Sequence, residues 1–163
     1  MTQEERSIQS DRMRFTKDTL SANLILVAIV LDALYFVSIY QSDVGTFYYN
    51  WLIGVSIIYN LVFLLAAFLG SESVKNRRPG YSGVLILLGL GQIARIFILP
   101  AKAHAATILV NGVETAVMGN GQYLYCVSCL VISAVCCVVA ALISSKNNKI
   151  LADYMKTIET KAA

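Results

Sequence analysis

Charge is what this 163-residue sequence has least of. Asp, Glu, Lys and Arg together make up 14% of it, where soluble domains carry about 25%. Histidine occurs once, at His104 in a loop segment. A histidine-based metal site or a Ser-His-Asp triad therefore cannot be assembled from the chain. No glycine-rich phosphate loop is present. The candidate "GLGQIA", Gly89–Ala94, lies inside an apolar run, where its glycines let helices approach closely. No polar stretch is long enough to form an ATP-binding domain, so energy for any transport would have to come from another subunit. No cofactor is expected.

What is abundant is apolar surface: 57% of residues, with a mean hydropathy of +0.65. It is gathered into four runs, Leu20–Tyr40, Trp51–Gly70, Tyr81–Pro100 and Tyr123–Ile143. Each is long enough to cross a hydrocarbon core of ~30 Å at ~1.5 Å per residue. The polar stripe that marks a buried helix of a soluble protein is largely missing. The expected fold class is an all-α integral membrane protein, a four-transmembrane-helix up-down bundle. The expected domains are a polar segment at 1–19, a transmembrane domain at 20–145 and an amphipathic helix at 146–163. The first run does not read as a cleavable signal peptide, because it is too long and ends in Tyr and Gln.

Orientation follows from Lys and Arg. Arg6, Arg12, Arg14 and Lys17 precede the first run, and Lys75, Arg77 and Arg78 separate the second from the third. Lys146, Lys149, Lys156 and Lys161 follow the fourth. The opposite loops hold only Lys102. Both termini and the 71–80 loop are therefore expected on the cytoplasmic side of a plasma (inner) membrane. The net charge of +3 is this topology signal, with an affinity for anionic lipid as its corollary. It does not point to nucleic acid.

The external segment 101–122 contains "TILV" and "VETAV" on either side of Asn111-Gly112. Asn-Gly suits a type I′ turn, which needs positive φ at both central positions, so a small extracellular β-hairpin is expected there. Phe47, Tyr48, Tyr49, Trp51, Tyr40, Tyr123 and Tyr125 form an aromatic belt at the outer interface. Beyond the fourth run, Ile150, Leu151, Tyr154, Met155 and Ile158 share one helical face, which suits docking on a partner or on the inner membrane surface.

Polar residues inside the runs are few: Asp32 in the first, Asn60 in the second, Gln92 and Arg95 in the third. A lone charge near mid-membrane costs at least ~2.5–3.5 kcal/mol. The first and third runs cross in the same direction, and Asp32 and Arg95 fall at nearly the same depth. They are expected to pair, with Gln92 and Asn60 satisfying the leftover donors and acceptors. Such a pair is a clamp that fixes helix register, a contact to another subunit's helix, or an ion, proton or substrate site inside the bundle.

All four cysteines, Cys126, Cys129, Cys136 and Cys137, lie in the fourth run. The stretch "YLYCVSCLV" places a Cys-x-x-Cys near its outer end. This locally resembles the redox motif of the vitamin K epoxide reductase family, four-helix membrane thiol oxidoreductases with such a motif facing a quinone. The resemblance implies Cys126 and Cys129 as an active pair. The chain departs from that family in having no cysteine before position 126, so the loop cysteines that relay electrons are missing.

Together these features imply a non-catalytic small membrane subunit of a larger complex, accessory to a transporter. Its partners would be the lipid bilayer and other membrane subunits. Two alternatives stay open: a self-contained homodimeric transporter or channel using Asp32 and Arg95, and a thiol oxidoreductase using Cys126 and Cys129.

Overall fold

The computed structural model describes Glu5 and residues 17–40, 51–110 and 113–160. It is mostly helical. In chain order the elements are α1 (Thr19–Tyr40), α2 (Trp51–Lys75), α3 (Tyr81–Ile98), α4 (Pro100–Ala105), β1 (Thr107–Val110), β2 (Val113–Ala116) and α5 (Asn120–Thr160). Four of the helices, α1, α2, α3 with its continuation α4, and α5, are long and apolar enough to cross a membrane. The aromatic residues Phe47, Tyr48 and Tyr49 of the expected belt lie outside the described residues, as does the Asn111-Gly112 turn.

The helices bury narrow stripes rather than wide faces. In α1 the buried residues are Ser21, Ala22, Ile25, Ala28, Asp32, Tyr35 and Ile39, spaced three or four apart from Ala22 onward. That spacing is one side of a 3.6-residue helix. Its other sides expose Leu26, Val27, Val30, Leu34 and Val37. The same holds elsewhere, with Leu61, Leu87, Phe97 and Leu124 all exposed. Water would penalise such a surface heavily, whereas hydrocarbon matches it.

The four long helices form a ring in which α1 packs on α2 and α5, and α3 packs on α5 and more thinly on α2. Neighbours run antiparallel. The Asp18 amide at the head of α1 donates to the Lys75 carbonyl at the foot of α2 (3.0 Å). At the far end the Tyr40 hydroxyl reaches the Ile53 carbonyl (3.5 Å). The α3–α5 seam is closed by a small residue: a Cβ at Gly89 would stand 3.1 Å from Val138 Cγ2 and 3.2 Å from the Ala134 carbonyl.

The core has two apolar halves. One centres on Ile25, Ala28, Phe63, Ala67, Val74, Leu85, Cys137 and Ala140. The other collects Tyr35, Ile39, Ile96, Leu99, Met118, Cys126, Cys129 and Leu130.

The two strands form an antiparallel hairpin whose last pair is Val110 with Val113, on either side of Asn111-Gly112. Its arms are largely exposed, Leu109 and Val113 included. Its base is held: the Val117 amide donates to the Ala106 carbonyl (3.0 Å), and Val117 and Met118 are buried in the core. The His104 ring stacks on Tyr123, with centroids 4.5 Å apart.

Two elements run further than the apolar runs alone suggest. The second helix continues five residues past Gly70, to Lys75. The amphipathic C-terminal segment is no separate helix, because α5 passes from Asn120 to Thr160 without interruption.

A candidate functional site in the bundle core

Asp32, Gln92 and Arg95 come together between α1 and α3, and Asn60 joins them from α2. Arg95 Nη1 donates to Asp32 Oδ1 at 2.6 Å. Gln92 Nε2 donates to the same oxygen at 3.0 Å. Arg95 Nη2 donates to Asn60 Oδ1. Gln92 lies one turn before Arg95, so both side chains leave α3 on one face. All four residues are at most 3% exposed.

Two aromatic rings complete the enclosure. The Arg95 guanidinium carbon sits 4.4 Å from the Tyr35 ring centroid and 5.0 Å from that of Tyr59. A cation over a ring face gains about 2 kcal/mol or more when desolvated. The arginine is thus met by a carboxylate, an amide oxygen and two ring faces. One charge of each sign is buried, and they neutralise each other. Tyr35 follows Asp32 by three positions, which places it on the same helix face, and Tyr59 directly precedes Asn60. Neither tyrosine carries a signal in its residue type that sets it apart from the other tyrosines of the chain.

The network is not fully saturated. Asp32 Oδ2, Gln92 Oε1, Asn60 Nδ2 and the Tyr35 hydroxyl are buried without a hydrogen-bond partner among the described residues. An orphaned buried polar atom costs about 1–3 kcal/mol. Three of the four belong to side chains of the network itself. They offer two acceptors and one donor to a small hydrogen-bonding guest such as water.

Cys126 and Cys129 are buried and unbridged, one turn apart on α5. Cys126 Sγ is 3.7 Å from Ser38 Oγ. Cys137 packs in the other half of the core, and Cys136 is half-buried. On the C-terminal face, Leu151 and Met155 line a cavity with Arg77 and Pro79. Ile150 is exposed, Tyr154 is half-buried, and the side chain of Ile158 lies outside the described residues.

A second polar cluster was not anticipated. Asp18 Oδ1 accepts from the Ser21 amide (3.2 Å), and Oδ2 accepts from Ser21 Oγ and Asn147 Nδ2 (both 2.9 Å). This is an N-cap that also ties α1 to α5. Its signal was an aspartate just ahead of an apolar run with a serine three residues on.

Comparison with protein-family models, curated proteins and solved structures finds no match to this chain.

Proposed function

We propose that the chain is a non-catalytic membrane subunit of a larger complex, accessory to a transporter, with both termini and the 71–80 turn in the cytoplasm. The observation that carries this reading is the closure of the Asp32–Arg95 pair. Both charges within the apolar spans are engaged with each other, and the cation is further covered by Asn60, Tyr35 and Tyr59. A neutralised, enclosed pair suits a register clamp between helices better than a group that gains and loses a proton. Exposed apolar surface on all four long helices leaves room for neighbouring subunits. The orientation rests on eleven of the thirteen Lys and Arg residues falling on one side.

The test is purification from native membranes in mild detergent, with native mass measurement and identification of what accompanies the chain. A stoichiometric partner is the expected result, and a clean homodimer overturns it.

A second reading, an autonomous small transporter, draws support from the unpartnered atoms of Asp32, Gln92 and Asn60. In that case Asp32→Asn abolishes flux in proteoliposomes while assembly survives.

A further inference from the structure

The turn between α2 and α3 is built on an unusual residue. Arg77 N–H donates to the Val74 carbonyl (2.9 Å) and Arg78 N–H to the Ser73 carbonyl (3.0 Å). This is the paired bonding of a Schellman helix end, whose left-handed position is normally glycine. Here Arg77 occupies it, with φ 51°, the one non-glycine residue at positive φ among those described. Glycine would fit this backbone with less strain, so the choice of arginine points to its side chain.

Arg77 lines a cavity of about 260 Å³ between the turn and α5, together with Pro79, Asn148, Leu151, Ala152 and Met155. Two residues of its lining each hold a buried polar atom with no hydrogen-bond partner among the described residues, Arg77 Nε and Asn148 Oδ1. One is a cationic donor and the other an acceptor. Arg78, Lys146 and Lys149 flank the site in sequence. Of the acidic residues nearby in sequence, Glu72 is paired with Lys75 (3.1 Å), and Asp153 is exposed on α5.

We infer that this cavity binds the headgroup of an anionic phospholipid that carries a hydroxyl, such as phosphatidylglycerol. A phosphate oxygen accepts from Arg77 Nε, and a headgroup hydroxyl donates to Asn148 Oδ1. The apolar wall of Pro79, Leu151, Ala152 and Met155 faces the glycerol backbone and the start of an acyl chain. The position fits, because the cavity lies at the basic turn where α2 ends and α3 begins, beyond their apolar spans. The inference stands apart from any partner subunit and needs only that the four helices cross a bilayer.

The test uses the full chain in detergent and follows its thermal midpoint as phosphatidylglycerol, phosphatidylcholine or inorganic phosphate is added. Phosphatidylglycerol is expected to raise the midpoint, with the other two having little effect. Arg77→Gly is expected to start from a higher midpoint than the native chain, since the left-handed strain is relieved. It is also expected to weaken the apparent lipid affinity about tenfold or more, the scale of one charge-assisted hydrogen bond. Arg77→Lys keeps the charge but lacks the Nε–H donor, and should bind nearly as poorly. Arg78→Gln, at an exposed neighbour, should bind almost normally. An unchanged lipid shift in Arg77→Gly overturns the site. Equal losses in Arg78→Gln mean diffuse charge attraction instead. An equal response to inorganic phosphate makes this a free-anion site and overturns the lipid assignment.

Discussion

Gly91 lies directly under the phenol of Tyr59, so close that a Cβ at position 91 would overlap the hydroxyl oxygen. The same tyrosine ring faces the Arg95 guanidinium. A glycine on the third helix therefore sets where the second helix can place one wall of the charged core. Gly91→Ala gains helix propensity of at most ~1 kcal/mol, against an overpacking cost of about 1–3 kcal/mol. The expected result is a lower thermal midpoint in detergent. Adding Tyr59→Phe removes the offending oxygen and leaves the next ring atoms at 3.5 and 3.8 Å, ordinary contact distances. The double variant should recover most of the loss, and a double variant no better than the single one refutes the account.

Breaking the buried ion pair from one side should be worse than removing both charges. Asp32→Asn leaves a guanidinium without its counter-charge, a change costing about 3–5 kcal/mol at buried sites. Arg95→Gln leaves the converse. The double variant has no unpaired charge and should express and unfold closer to the native chain. A double-mutant cycle in detergent measures this directly. Additive losses would mean that the two charges do not depend on each other.

Asp18→Ala removes the acceptor for Ser21 N–H, Ser21 Oγ and Asn147 Nδ2 together. Loss of an N-cap alone costs about 0.5–2 kcal/mol, and the tie to α5 goes with it. Faster amide exchange should appear in the first turn of α1. Asp18→Asn, which keeps one oxygen acceptor, should fall between alanine and the native residue.

The cysteines give a sharp contrast. Cys126 and Cys129 pack within the apolar core, so the Cys126→Ser, Cys129→Ser pair mainly trades sulfur for oxygen in a dry place. If the chain is a non-catalytic subunit, assembly with its partner persists, with a stability loss of a few kcal/mol at most. A thiol oxidoreductase would lose quinone-linked thiol oxidation completely, and detecting such activity in the native chain overturns the proposed function.

The parts of the fold legible in the sequence are those with a simple physical signal. An apolar run of about 20 residues has few alternatives to a spanning helix, and Asn111-Gly112 between β-prone tetrads marks a hairpin at Val110 and Val113. Asp32 and Arg95 could be matched because so few charges interrupt the runs that depth alone selects partners. Tyr35 and Tyr59 could not, since a tyrosine fits both an interfacial belt and a cation–π contact equally well by composition. The continuity of α5 was hidden for another reason. Its character changes at Ser144 from apolar all round to one-sided, and that reads like a boundary although the backbone hydrogen bonding never breaks. Arg77 looks by type like any other basic residue of the 71–80 loop, and nothing in that type announces a left-handed backbone.

That unbroken α5 has a mechanical meaning. From Ser144 to Thr160 it extends about 25 Å beyond the end of the fourth apolar run at Ile143, at ~1.5 Å per residue. A continuous helix has no hinge at which to absorb rotation, so it works as a lever. A tilt of about 10° within the bundle would swing its tip by roughly 4 Å, and a load applied at the tip would return as torque on the seam that Gly89 shares with Ala134 and Val138.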